Sequence, residues 1–152
     1  MDFEEAVLLA IAKGLKTPKD IAKKLNVRLE DVRNVLAILE AQGLVEKKVR
    51  GLLFKKEVYE LTKEGFERAM RAKEKLMRIA DEVKDAYERG DKARVEEIVA
   101  GYSYLIPLML MFGILDLVWL SDFYDVYDID SDADIDDDFD SDFDGIDFEG
   151  DF

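Results

Sequence analysis

Cysteine and histidine are both missing from the 152 residues. Without cysteine there is no disulfide framework and no thiolate metal site. Without histidine the commonest general base and the commonest transition-metal ligand are gone. The usual hydrolase triads and zinc sites are excluded with them. Only carboxylates, Lys or Tyr remain for catalysis, and the expectation is that the protein is not an enzyme and has no small-molecule substrate. Bases are also absent from the whole second part of the chain. All 22 Lys and Arg lie in residues 1–94 beside 18 of the 36 acids, a net of +4, and residues 95–152 hold the other 18 acids, so that +4 − 18 gives the overall −14. A mildly basic part and a strongly acidic part are best read separately. The start "MDFEEAVLLAIAKG" lacks the basic leader and small-residue cleavage site of a signal peptide, so the expected location is cytoplasmic.

Periodicity predicts a mainly α fold with a small β-hairpin. In residues 1–62, Val7, Leu8, Ile11 and Ala12 recur at helical spacing, and Gly14 closes that helix. A second helix opens with Thr17 as N-cap and Pro18 at its first position, burying Ile21, Ala22 and Leu25. After a turn at Asn26 and Val27, "RLEDVRNVLAILEAQG" reads as a third helix, with Val32, Val35, Leu36 and Leu39 inward and Gly43 beyond its end. "LVEKKV" and "KKEVYELT" alternate apolar and polar residues about a turn at Gly51, the pattern of a two-stranded hairpin.

The segment "TPKDIAKKLNVRLEDVRNVLAILEAQGLV" followed by "YELTKEG" resembles the winged helix-turn-helix family, in particular regulators of the MarR and PadR type. The resemblance covers about residues 4–70 and rests on the order L-E-x-x-G-L-V, strand, Y-x-L-T-x-x-G, long helix. It implies a transcription regulator that binds double-stranded DNA, with the helix Leu29–Gln42 in the major groove and the hairpin on backbone or minor groove. Mapped onto this chain, Arg28, Glu30, Asp31, Arg33 and Asn34 are the outward positions near the start of that helix, where Arg33 would pair with guanine edges and Asn34 with adenine. Lys23, Lys24, Lys47, Lys48, Arg50, Lys55 and Lys56 would meet phosphates. Two features fit such binding less well: Glu30 and Asp31 would repel phosphates, and "GLLF" sets Leu52, Leu53 and Phe54 where a wing usually carries bases and glycines. The alternative is a winged-helix adaptor that docks proteins, with an acidic docking or calcium-binding tail.

Residues 63–94 form a long coiled-coil-like helix. Phe66, Met70, Met77, Ala80, Val83 and Tyr87 stand at spacings of three and four with Lys73 the one polar interruption, a narrow stripe that predicts a homodimer seam. Pairs such as Glu67–Arg71 and Glu74–Arg78 support the helix at a spacing of four. Residues 95–121 carry the apolar run "IVAGYSYLIPLMLMFGIL", 98–115, which holds no charged side chain. A helix apolar all round must be buried on every side or lie in lipid. One reading is an anchor to the membrane's inner face, at about 27 Å for 18 residues; the other is burial in a dimer interface. Burial within one small chain is the least favoured of the three.

Residues 122–152 are an acidic tail with no base, for which disorder is the expectation. Asp140, Asp142, Asp144 and Asp151 resemble the oxygen-ligand spacing of a calcium loop. The match departs at Ile146, and the twelfth ligand is Asp rather than Glu. A tail held beside the head could also fold onto Lys47, Lys48 and Arg50 and compete with DNA.

Overall fold

A computed structural model describes residues 1–101 and 104–114. The element order is α1 (Phe3–Ala12), α2 (Pro18–Leu25), α3 (Leu29–Ala41), β1 (Val45–Arg50), β2 (Lys56–Leu61), α4 (Lys63–Glu88), α5 (Lys92–Ala100) and α6 (Leu105–Met111). The fold is mainly helical with one antiparallel hairpin, in which Val45 pairs with Leu61 and Arg50 with Lys56.

The helix enclosed on all sides is α1. Every residue from Glu5 to Ile11 is buried, and α2, α3, α4, α6 and β2 all pack against it. Its start is fixed by a capping box: Asp2 Oδ1 accepts from the Glu5 N–H at 2.8 Å, and Glu5 Oε1 accepts from the Asp2 N–H at 3.2 Å. Thr17 caps α2, with Pro18 in its first turn. Asn26, at φ +56°, makes the left-handed turn into α3, a conformation that Asn tolerates better than most residues.

The corner joining α3, the hairpin and α4 explains the two short motifs around it. The Leu44 N–H bonds the Leu39 carbonyl at 2.9 Å and closes the end of α3. The Thr62 N–H then donates to the Leu44 carbonyl at 3.1 Å. The Thr62 hydroxyl donates to the Gly43 carbonyl at 2.7 Å and accepts from the Gly65 N–H at 3.0 Å, capping α4. A Cβ at position 65 would sit 1.8 Å from the Leu44 oxygen. Only glycine lets the first turn of α4 come this close to the backbone entering β1.

α4 buries Ala69, Ala72, Leu76, Ala80, Val83 and Ala86, and α1 is its main packing partner, with α5 and α6 also against it. Small side chains on that face allow close approach of α1 and α4. Ion pairs brace the contact: Lys75 meets Glu5 at 2.9 Å and Arg68 meets Glu4 at 3.6 Å. α5 then turns back beside α4, with Val95 buried and Arg94 bonded to Glu82.

The expectation of one apolar helix over 98–115 is corrected by the structure. The run breaks after Gly101, and its two parts belong to α5 and α6. Pro107 is the third residue of α6, where the backbone N–H has no intrahelical acceptor, so it helps start a helix and does not kink one. No helix among the described residues is long and apolar enough to cross a membrane. Among the described residues of the run, Tyr104, Leu105, Ile106, Leu108 and Met109 are buried inside the chain, the alternative least favoured from sequence. Leu105, Leu108 and Met109 are fully buried in the same core as α1. Their burial contributes roughly 5–9 kcal/mol before entropy is counted. Around them, the Phe3 and Tyr104 rings lie 5.5 Å apart and Lys84 Nζ donates to the Ile114 carbonyl at 2.9 Å. The ammonium groups of Lys13 and Lys73 sit 5.4 and 5.8 Å from the centre of the Phe112 ring. The acidic tail, with Asp140, Asp142, Asp144 and Asp151, lies outside the described residues, as do Tyr102 and Trp119.

Candidate nucleic-acid interface

α3 is amphipathic because Val32, Val35, Leu36 and Leu39 face the core at helical spacing. The residues between them are turned outward by the same geometry. Arg33, Asn34, Ala37 and Ile38 are exposed, and neither Arg33 nor Asn34 has a hydrogen bond or ion pair among the described residues. Lys23 and Lys24 stand in the last turn of α2, where cations complement the helix dipole.

Arg28 is engaged within the chain. It precedes α3 and forks onto Asp31, Nε to Oδ2 at 3.0 Å and Nη2 to Oδ1 at 3.0 Å. These hydrogen bonds raise the Arg28 guanidinium further above its ordinary value and hold the Asp31 carboxyl below the usual carboxylate range. Two effects follow. Arg28 is occupied, and Asp31 is no longer a bare negative charge at the start of the helix.

On the hairpin, register decides which cations are engaged. Glu60 is half-buried and gathers three of them: Lys48 at 2.8 Å, Arg50 at 3.1 Å and Lys16 at 3.8 Å. The Lys48 hydrogen bond is the main reason that the Glu60 carboxyl lies below its ordinary value, against a smaller opposing effect of burial. Lys47 pairs with Glu57 at 3.5 Å. Lys55 and Lys56 are exposed at the far end, with no ion pair among the described residues.

Tyr59 joins the ribbon to the helices. Its N–H donates to the Lys16 carbonyl at 2.8 Å, and its ring is buried. Burial pushes the phenol above its ordinary value. The next influences are Lys47 and Glu57 on the ribbon, then Glu40 and Arg33 on α3. The hydroxyl therefore lies within electrostatic range of both elements. Sequence reasoning missed Tyr59 and Glu60, because cross-strand partners are visible only once the register is known.

The tip of the ribbon is exposed, with nothing over it among the described residues. Leu52, Leu53 and Phe54 are 99%, 90% and 88% exposed. On α4 the expected seam divides. Ala80 and Val83 are buried against the chain's own core and Tyr87 is partly buried, whereas Phe66, Met70 and Met77 remain 39%, 37% and 49% exposed. No family model, no curated protein and no solved structure matches the chain.

Proposed function

We propose that this chain is a DNA-binding winged-helix regulator that reads duplex DNA through the outward face of α3, with the hairpin lying along the adjoining backbone. The observation that carries the reading is the exposed pair Arg33 and Asn34, which have no hydrogen bond or ion pair among the described residues. These are residue types that make bidentate contacts with guanine and adenine edges. They project from the second helix of a helix-turn-helix, and the ribbon beside them carries Lys47, Lys48, Arg50, Lys55 and Lys56. Phosphates would compete with Glu60 and Glu57 for Lys47, Lys48 and Arg50. Contacts by these three thus have to displace existing ion pairs, whereas Arg33, Lys55 and Lys56 have none to give up among the described residues. The exposed Phe66, Met70 and Met77, spaced four and seven residues apart, supply a contact for a second copy. A two-fold dimer would set two α3 helices on two half-sites.

The test is fluorescence anisotropy of the full chain with mixed-sequence duplex DNA over a salt series. Affinity should fall linearly with the logarithm of salt, by about 0.9 in slope per phosphate engaged. Arg33→Ala should weaken binding by about 1–3 kcal/mol to a selected sequence. Absence of binding at low salt, or indifference to Arg33→Ala, would contradict the reading. A protein-docking adaptor is then the second reading, and the uncovered Leu52–Leu53–Phe54 is the observation that favours it.

A further inference from the structure

We infer that the hairpin tip Leu52–Leu53–Phe54 is an apolar wedge that enters the minor groove of duplex DNA, unstacks a base step and bends the helix. The inference rests on the DNA-binding reading and assigns a second contact to it. Three consecutive large apolar side chains held almost wholly in water are not part of this chain's core. The loop is nonetheless built tightly: Gly51 has φ +109°, and a Cβ there would meet the Phe54 carbonyl oxygen at 2.2 Å. The turn folds on its own backbone and leaves the three side chains outside.

Charge identifies the partner. From Lys47 to Lys56 the ten residues hold five bases and no acid. The wedge is thus flanked on both strands by cations: Lys47, Lys48 and Arg50 are paired with Glu57 and Glu60 of β2, whereas Lys55 and Lys56 beside the tip have no ion pair among the described residues. An apolar point between cationic shoulders suits a polyanion with an apolar interior that can be opened. Stacked bases between two phosphate backbones have that character, and Leu and Phe are among the side chains that wedge base steps apart.

Reach favours DNA over a bilayer. Strands of six residues each carry the tip on the order of 20 Å from the base of the ribbon. That is close to half of the duplex repeat of about 34–36 Å, the offset between a major groove holding α3 and the next minor groove. A lipid surface would engage the tip but offers nothing to the Arg33 and Asn34 face.

The experiment uses the full chain and a short duplex with a central run of flexible TpA steps and a fluorophore at each end. Anisotropy reports binding, and energy transfer between the ends reports bending. The wild type should bind and raise energy transfer, with a bend on the order of 20–90°. The variant Leu52→Ser/Leu53→Ser/Phe54→Ser alters only exposed side chains and should keep the native circular dichroism. It should still bind within about tenfold, since phosphate contacts dominate affinity, but leave energy transfer at the value of free DNA. Binding by the wild type without bending overturns the wedge and leaves the DNA reading standing. No binding at low salt overturns both. Sedimentation of the wild type with phosphatidylglycerol vesicles, lost in the triple variant while DNA bending is unchanged, assigns the tip to a bilayer and likewise overturns the wedge.

Discussion

Replacing Gly65 by Ala tests the corner on which the angle between the hairpin and α4 depends. In an open helical site this change stabilises by up to about 1 kcal/mol, because Ala has the better helix propensity. Here the new Cβ would lie 1.8 Å from the Leu44 oxygen, 2.9 Å from its carbon and 3.3 Å from its Cα. All three are backbone atoms, and that oxygen already accepts the Thr62 N–H. The first turn of α4 would have to move by more than an ångström. The Thr62–Leu44 and Thr62–Gly43 bonds would stretch or break, at roughly 1–3 kcal/mol for each group left unsatisfied. The expected outcome is a loss of about 3–5 kcal/mol, at the upper end for single substitutions, within a total stability of about 5–15 kcal/mol. Urea denaturation followed by circular dichroism measures it. Gly101→Ala is the control, because its backbone is helical (φ −73°, ψ −19°) and a Cβ there would meet only the carbonyl oxygens of Ile98 and Glu97 in the preceding turn, at 3.9 and 4.0 Å. It should be neutral or stabilise by about 0.4–1 kcal/mol. Gly65→Ala within about 0.5 kcal/mol of wild type, a change typical of a neutral surface site, would refute the reasoning.

Further outcomes follow from the packing and the charges. Leu108→Ala, at a fully buried position of α6, should lower stability in urea by about 2–5 kcal/mol; no loss would mean that α6 is not part of the core. Glu5→Gln removes the pairing with Lys75 and should cost about 1 kcal/mol at neutral pH, a modest figure because the lysine is half exposed. Burial pushes the Glu5 carboxyl up, but Lys75 and the Asp2 N–H together hold it below its ordinary value. The stabilisation is therefore present above the unfolded carboxylate's value of about 4.3 and lost as pH falls through the lower folded value. Wild type and Glu5→Gln should converge in stability on acidification, and a constant gap would contradict this. Met70→Glu with Met77→Glu should leave the circular dichroism native and halve the mass found by sedimentation; a wild type already sedimenting as a monomer would rule out this seam.

Much of the fold was legible because its signals are local. Thr17, Pro18, Asn26 and Gly43 mark helix ends by backbone chemistry, and the alternation in Val45–Arg50 and Lys56–Leu61 marks the ribbon. What lies against an apolar surface is not a local property. The run 98–115 shows that it must be covered, not by what, and its cover proved to be the same core that encloses α1. The stripe on α4 divides for a related reason. The buried face of α4 is lined mainly by alanines, which are nearly silent in a hydrophobic pattern, whereas the larger Phe66, Met70 and Met77 draw attention and remain exposed. At the candidate interface, the outward positions of Arg33 and Asn34 followed from helical periodicity. The engagement of Arg28 by Asp31 and of Lys48 and Arg50 by Glu60 depended on rotamers and strand register, which the sequence does not display.

The most direct test of the DNA-reading face is amide chemical-shift mapping on isotope-labelled full chain titrated with duplex DNA. Shifts concentrated on Arg33, Asn34 and Ala37 of α3 and on Lys47–Lys56 of the ribbon, with the buried residues of α1 unmoved, are what the account predicts. Shifts confined to other surfaces, or none at low salt, would contradict it.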